Sequence, residues 1–151
     1  MLKINFNTIF VSVFGIGFIP IASGTFGSLA GLLIGYILYL INFNLFFIII
    51  PLLFIFGVIA SNTYQKQTGE KDSSVIVIDE VVGQLIAMIF VVDNLTLVLC
   101  SFIIFRIFDI FKPWPASYAD KKMDGGLGVM LDDVFAGIYA AIVIYLIGYI
   151  M

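Results

Sequence analysis

A chain of 151 residues with 62% hydrophobic and only 11% charged side chains lies far from a soluble domain, in which about 25% of residues are charged, and it reads as an all-α membrane protein. At about 20 residues per span, the length allows a single domain over residues 1–151, a small polytopic bundle of about five membrane helices plus a short or re-entrant N-terminal helix. The net charge of −3 with seven dispersed Lys and Arg excludes a nucleic-acid surface, the absence of His excludes imidazole chemistry, and the lone Cys100 excludes a disulfide framework or thiolate metal cage.

The first apolar run, Ile9 to Ile19, follows Lys3 and precedes Ile21-Ala22-Ser23-Gly24, the outline of a secretory signal. Two glycines and Pro20 interrupt it, and cleavage there would cut into the next motif, so a short or re-entrant helix is expected. That motif, Gly15 to Ser28, runs into the first membrane helix. Gly24 and Gly27 let backbone approach a ligand, a helix N-terminus offers free N–H groups to an anion, and Thr25 and Ser28 add hydroxyls. The stretch is a candidate phosphate cradle, with Thr25 or Ser28 as a plain N-cap the alternative. No Gly-Lys-Ser/Thr follows, so it is not a Walker A loop.

Leu29 to Ile41 and Leu45 to Ala60 form a helical hairpin about the polar turn Asn42-Phe43-Asn44, with Pro51 a tolerated kink. A polar segment, Ser61 to Ser74, leads to a second hairpin, Val75 to Val92 and Leu95 to Phe111, about Asp93-Asn94. The glycine cluster Gly125, Gly126 and Gly128, read as a connecting loop or a backbone approach to ligand, precedes a last helix from Asp132 to Ile150. A single span from Phe26 to Ile50 would separate Lys3 from Lys66 and Lys71. The hairpin instead puts Lys3, Lys66, Lys71, Lys112, Lys121 and Lys122 on one face, which the positive-inside rule makes cytoplasmic.

Depth brings the remaining charges together. At about 1.5 Å per residue, Glu80 lies roughly 20 Å from the turn at Asp93, and Arg106 and Asp109 lie about 18 to 22 Å from Asn94. Asp132 and Asp133, opening the last helix, reach the same level. Asp79, Glu80, Arg106, Asp109, Asp132 and Asp133 thus share one layer at the inner membrane surface, where ionisable groups are costly and face a partner or a ligand. Five carboxylates against one Arg are not neutralised, and a hard divalent cation such as Mg²⁺ relieves them better than protonation does. Taken singly, Asp132 and Asp133 can also be read as helix caps, and Arg106 with Asp109 as a local ion pair, readings that weaken when all the charges share one depth. Cys100 and Arg106 match the Cys-x5-Arg spacing of cysteine phosphatases, but the intervening Phe and Ile residues form a span interior. An Asp-x-Asp phosphotransferase loop is also missing.

Three blocks carry a family resemblance: Gly24-Thr25-Phe26-Gly27-Ser28, Val77 to Gly83 (VIDEVVG), and Phe105 to Gly137 with FRxFDxxKPWP and GGxGVMxDDxxAG. Over nearly the full length the chain resembles phosphatidylglycerophosphatase A. The resemblance implies an Mg²⁺-dependent enzyme of the bacterial inner membrane that removes the terminal phosphate of phosphatidylglycerophosphate to give phosphatidylglycerol. The family's shared polar positions fall on Thr25, Ser28, Asp79, Glu80, Arg106, Asp109, Lys112, Asp132 and Asp133. On that reading Asp79, Glu80, Asp132 and Asp133 hold the metal and serve catalysis with Asp109. Gly24, Thr25, Gly27, Ser28, Arg106 and Lys112 bind phosphate, and Asp72 is a further candidate; Trp114, between Pro113 and Pro115, suits either an interfacial anchor or plain packing. Direct attack by water is preferred to a phosphoaspartate on Asp109. The competing expectations are a small cation channel or transporter built on the acidic cluster, or a phosphatase for another lipid head group. A homo-oligomer is compatible with so small a bundle, but no residue specifies one.

Overall fold

The computed structural model describes residues 5–71 and 73–150; Lys3 and the candidate Asp72 lie outside them. The described residues form α1 (Phe6–Val11), a 3-10 turn (Ile16–Phe18), α2 (Ser23–Ile41), α3 (Leu45–Thr68), α4 (Ile78–Met88), α5 (Leu95–Phe111), α6 (Ala116–Lys122) and α7 (Gly125–Ile150), with no strand among them. α2, α3 and α7 are long and apolar enough to cross a membrane. The 17 residues of α5 extend for about 26 Å, close to the hydrocarbon thickness of about 30 Å. The all-α bundle is as expected, although α4 is shorter than a span and α6 is an addition.

Both hairpin turns form where polar residues interrupt the apolar runs. Asn42 leaves the helix in an extended conformation and its side chain accepts the Asn44 amide at 2.9 Å. Asn94 caps α5 by accepting the Leu97 amide at 3.2 Å. Three further boundaries differ from expectation, and packing explains each. α2 begins at Ser23, so Gly24 to Ser28 are helical rather than a loop before the helix. α3 runs on to Thr68 because Gly57, Ala60, Ser61 and Tyr64, spaced i, i+3, i+4 and i+7, extend its buried face into the polar segment. α7 begins at Gly125, where the Gly126 amide donates to Asn62 Oδ1 of α3 at 2.7 Å, so the glycine cluster is helix and not a connecting loop.

α4 is the centre of the bundle, packed against α2, α3, α5 and α7. Its partners fix the directions of the chain. Gly24, Gly27, Gly31 and Gly35 of α2 meet Glu80, Val77, Val81 and Leu85 in turn, so α2 and α4 run parallel. Small residues at such a seam let two membrane helices approach closely. The closest crossing joins α4 to α7: a Cβ on Gly83 would lie 2.7 Å from the Asp133 carbonyl oxygen, and one on Gly137 would strike the Gly83 backbone. α3 and α5 return in the opposite direction. Consequently the α2, α4 and α7 N-termini share one end of the bundle, and every described Lys and Arg belongs to that end. Large apolar side chains such as Leu33, Leu40, Phe47, Ile103 and Ile142 remain exposed around the waist, as a lipid-facing belt requires.

Candidate active site

The Gly83/Gly137 crossing dictates what lies one turn above it. Asp79 and Glu80 occupy the first turn of α4, and Asp133 lies four residues before Gly137 on α7. Carboxylate oxygens of Asp79, Glu80 and Asp133 all fall within 4.8 Å of one another. Asp132 and Asp133 lie well inside α7 and therefore do not cap it. Asp79 and Asp133 are buried. Each acidic pair is internally braced: Asp79 Oδ1 accepts the Glu80 amide at 3.0 Å, and Asp132 Oδ1 accepts the Asp133 amide at 2.9 Å. Glu80 Oε2 and Asp133 Oδ2 are buried with no hydrogen-bond partner among the described residues. Buried charge with unmet lone pairs is costly, and a bound cation is the usual remedy.

Two cations border the acidic triangle. Arg106 of α5 pairs with Asp109 three residues on, and its Nη1 also reaches Ser28 Oγ of α2 at 3.4 Å. Gly24 lies against both Glu80 and Arg106, so α2 closes this side. Lys112, the C-cap of α5, has a left-handed backbone at φ 44° and leads into Pro113. Its ammonium donates to Asp120 Oδ1 of α6 at 2.7 Å and to Asp132 Oδ2. Burial works against this ammonium, but the two carboxylates outweigh it and raise its pKa above the ordinary lysine value. A cleft of about 220 Å³ opens here, and its lining includes Asp79, Glu80, Lys112, Asp120 and Asp132 together with Gln65, Lys71, Ser73 and Ser74.

Acidic oxygens in a cleft with fixed cations beside them are able to take a cation together with an anionic group. The profile of the Phosphatidylglycerophosphatase A family matches residues 9–148. The chain belongs to the phosphatidylglycerophosphatase A family. It is 41% identical to the Haemophilus influenzae protein named phosphatidylglycerophosphatase A, over 91% of this chain and 86% of that one. With the Escherichia coli protein of the same name it shares 36% identity, over 90% and 80% of the two chains. A Bacteroides thetaiotaomicron protein with the provisional name phosphatidylinositol-3-phosphatase is 42% identical, over 87% and 86%. No solved structure matches the chain. The protein is thus an enzyme, a phosphatase, and a membrane protein of bacterial type.

Within this phosphatidylglycerophosphatase A homologue, the anticipated residues divide into groups. Asp79, Glu80 and Asp133 converge, with Asp132 alongside them but engaged by Lys112. Arg106 and Asp109 meet as the i, i+3 ion pair that is the alternative to their phosphate-binding and catalytic roles. The Gly24 to Ser28 stretch reaches the site through Glu80 and Arg106 and does not line the cleft. Its geometry differs from a cradle: the Thr25 and Phe26 amides already bond to Ala22 O at 2.9 and 3.3 Å, and Ser28 Oγ donates to Gly24 O at 2.8 Å. Gly27 packs on Val77. Asp120, Gln65, Ser73 and Ser74 line the cleft and escaped the sequence reading. For Asp120 a signal existed, an acid inside the otherwise recognised block between Lys112 and Gly125.

Proposed function

We propose that the chain hydrolyses the terminal phosphomonoester of phosphatidylglycerophosphate to phosphatidylglycerol and inorganic phosphate. Mg²⁺ is the resident cation in this reading, and the site faces the cytoplasm from the inner membrane. The observation that carries the proposal is the acidic triangle of α4 and α7, with two orphaned buried oxygens, opening into a cleft that also holds Lys112. Its donors are all oxygens, which suits a hard divalent ion and not a soft one, so the residues fit the cation. Asp79, Glu80 and Asp133 would hold it, with Asp132 at its flank. When bound, Mg²⁺ supplies Lewis-acid polarisation of a phosphate oxygen and a more acidic water.

The chain's own groups divide the remaining work. Lys112 lines the cleft and neutralises phosphate oxygens there, while Arg106, held by Asp109 and outside the cleft lining, offsets negative charge from the Glu80 side. In direct hydrolysis the water oxygen bonds to phosphorus, the bond from phosphorus to the glycerol oxygen breaks, and that oxygen leaves as an alcohol after taking a proton. Asp79, Glu80 and Asp132 face the cleft and are the available proton acceptors for the water. The cleft is smaller than the 300–1,000 Å³ or so of pockets that enclose a whole ligand, which supports entry of the phosphate alone while the acyl chains stay in lipid. The highly exposed Trp114, its carbonyl held by the Tyr139 hydroxyl at 2.7 Å, suits the interfacial level at which such a substrate arrives.

The relative with the provisional phosphatidylinositol-3-phosphatase name favours one second reading, the same chemistry on an inositol phosphate head group. A channel finds less support, because among the described residues the acids gather at one end with Asp93 alone at the other. Purified protein in vesicles is expected to release phosphate from phosphatidylglycerophosphate with Mg²⁺ and to lose this activity in chelator. Loss is also expected when Asp79, Glu80, Asp132 and Asp133 are all changed to Ala. Undiminished activity in either condition defeats the metal assignment, and preference for the inositol lipid in a parallel assay defeats the head-group assignment.

A further inference from the structure

We infer that Asp120 of α6 is a positioning residue for phosphate binding, the tether that keeps the Lys112 ammonium in the cleft; the inference rests on the phosphatase reading above. Lys112 Nζ bridges two carboxylates of different character. Asp132 is nearly fully buried on α7, whereas Asp120 is one-third exposed on the short helix that links α5 to α7. α6 is fixed in place by Ala116 and Ala119, both fully buried, with the Ala119 carbonyl against Gly128 of α7. Asp120 follows Ala119 directly, so its carboxylate is presented from a rigid support.

An ammonium has three donors on a flexible four-carbon stem. A phosphate entering the cleft competes with Asp132 for these donors, since both are anions beside the acidic triangle. Asp120 also lines the cleft, but it is carried on α6 and belongs to neither of the helices that form the triangle, so it can retain one donor throughout. Without it, Lys112 is held by Asp132 alone, and transfer to phosphate releases a long side chain whose ordering must then be supplied by the ligand. The consequence falls on ground-state phosphate binding more than on the chemical step.

The test compares full-length wild type, D120N, D120E, K112M and K112M/D120N in phospholipid vesicles. Two readouts are taken: kcat and KM for phosphate release from phosphatidylglycerophosphate, and calorimetric Kd for inorganic phosphate in the presence of Mg²⁺. Because the pair is one-third exposed, D120N is expected to raise KM and phosphate Kd by about fivefold, with kcat within about twofold. D120E recovers most of the loss, and adding D120N to K112M changes neither constant by more than about twofold. If thermal melting shows D120N to be unfolded, D120S takes its place with the same expectations. A fall in kcat at unchanged KM, or an equal D120N effect with and without Lys112, overturns the inference. Wild type that binds phosphate, more weakly as D120N, yet releases none from the lipid defeats the substrate reading alone. Wild type that hydrolyses the lipid with D120N indistinguishable from it defeats the inference alone.

Discussion

Gly83→Ala probes the packing on which the site depends. The added Cβ would lie 2.5 Å from the Phe105 ring and 2.7 Å from the Asp133 carbonyl oxygen, where ordinary contacts begin at 3.4 Å. α4 and α7 therefore have to separate by about 0.7 Å, since a close-packed interior has no slack to absorb the methyl. Metal–ligand distances tolerate only about 0.2 Å, and Asp79 and Glu80 move with α4 while Asp133 moves with α7. Overpacking of this kind costs about 1–3 kcal/mol of stability, and misplacement by about 1 Å costs on the order of 100-fold in rate. The assay is phosphate release against free Mg²⁺, together with thermal melting. Gly83→Ala is expected to lose between about 10- and 100-fold in activity, with the Mg²⁺ requirement moved to higher concentration. Gly148→Ala is the control, because its Cβ would meet the flexible end of Leu97 at 3.0 Å and Val91 at an ordinary 3.9 Å, at the other end of α7. Wild-type activity and Mg²⁺ dependence in Gly83→Ala would refute the view that this crossing sets the ligand geometry.

Glu80→Gln and Asp133→Asn each remove a charged ligand while keeping shape, and each should lower activity by at least about 100-fold. Both should also raise the melting temperature in chelator, because a buried carboxylate with an unpartnered oxygen destabilises the metal-free fold; a lower melting temperature there would contradict the orphaned-charge account. Arg106 reaches both Asp109 and Ser28 through Nη1, and Arg106→Lys keeps the charge but loses the planar guanidinium that carries this atom, so kcat/KM should fall by roughly tenfold or more. Ser28→Ala, which removes only a contact of 3.4 Å, should cost less than about threefold. The Lys112 pKa is raised on folding, so its contribution is full below the unfolded value of about 10.4 and is lost only as pH climbs through the higher folded value. Phosphate Kd measured from about pH 7 to 10 should therefore show no weakening that Lys112→Met abolishes.

The long helices and their turns could be read from the sequence because apolar runs of membrane length are broken at Asn42 and Asp93 by residues that suit nothing else. The shared level of Asp79, Glu80, Arg106, Asp109, Asp132 and Asp133 followed from rise per residue alone. Helix starts were harder. Gly24 to Ser28 and Gly125 to Gly128 look like loops by intrinsic propensity, yet both are helical because the missing side chains admit α4 against α2 and α3 against α7. The division of the carboxylates was not legible either. Whether Asp132 faces the acidic triangle or Lys112 depends on where α6 carries the chain after Pro115, and no periodicity encodes that path. Asp120 was missed for the same reason, since its role exists only once α6 lies beside the end of α5.

The central claim is that the α4–α7 acidic triangle binds a divalent cation in order to hydrolyse a lipid phosphomonoester. The most direct test is the initial rate of phosphate release from phosphatidylglycerophosphate in vesicles as free Mg²⁺ is titrated, for wild type and Asp133→Asn. Saturable activation from a negligible basal rate, lost or shifted to much higher Mg²⁺ in Asp133→Asn, is the predicted result. A rate independent of Mg²⁺, or the same titration curve for both proteins, would contradict it.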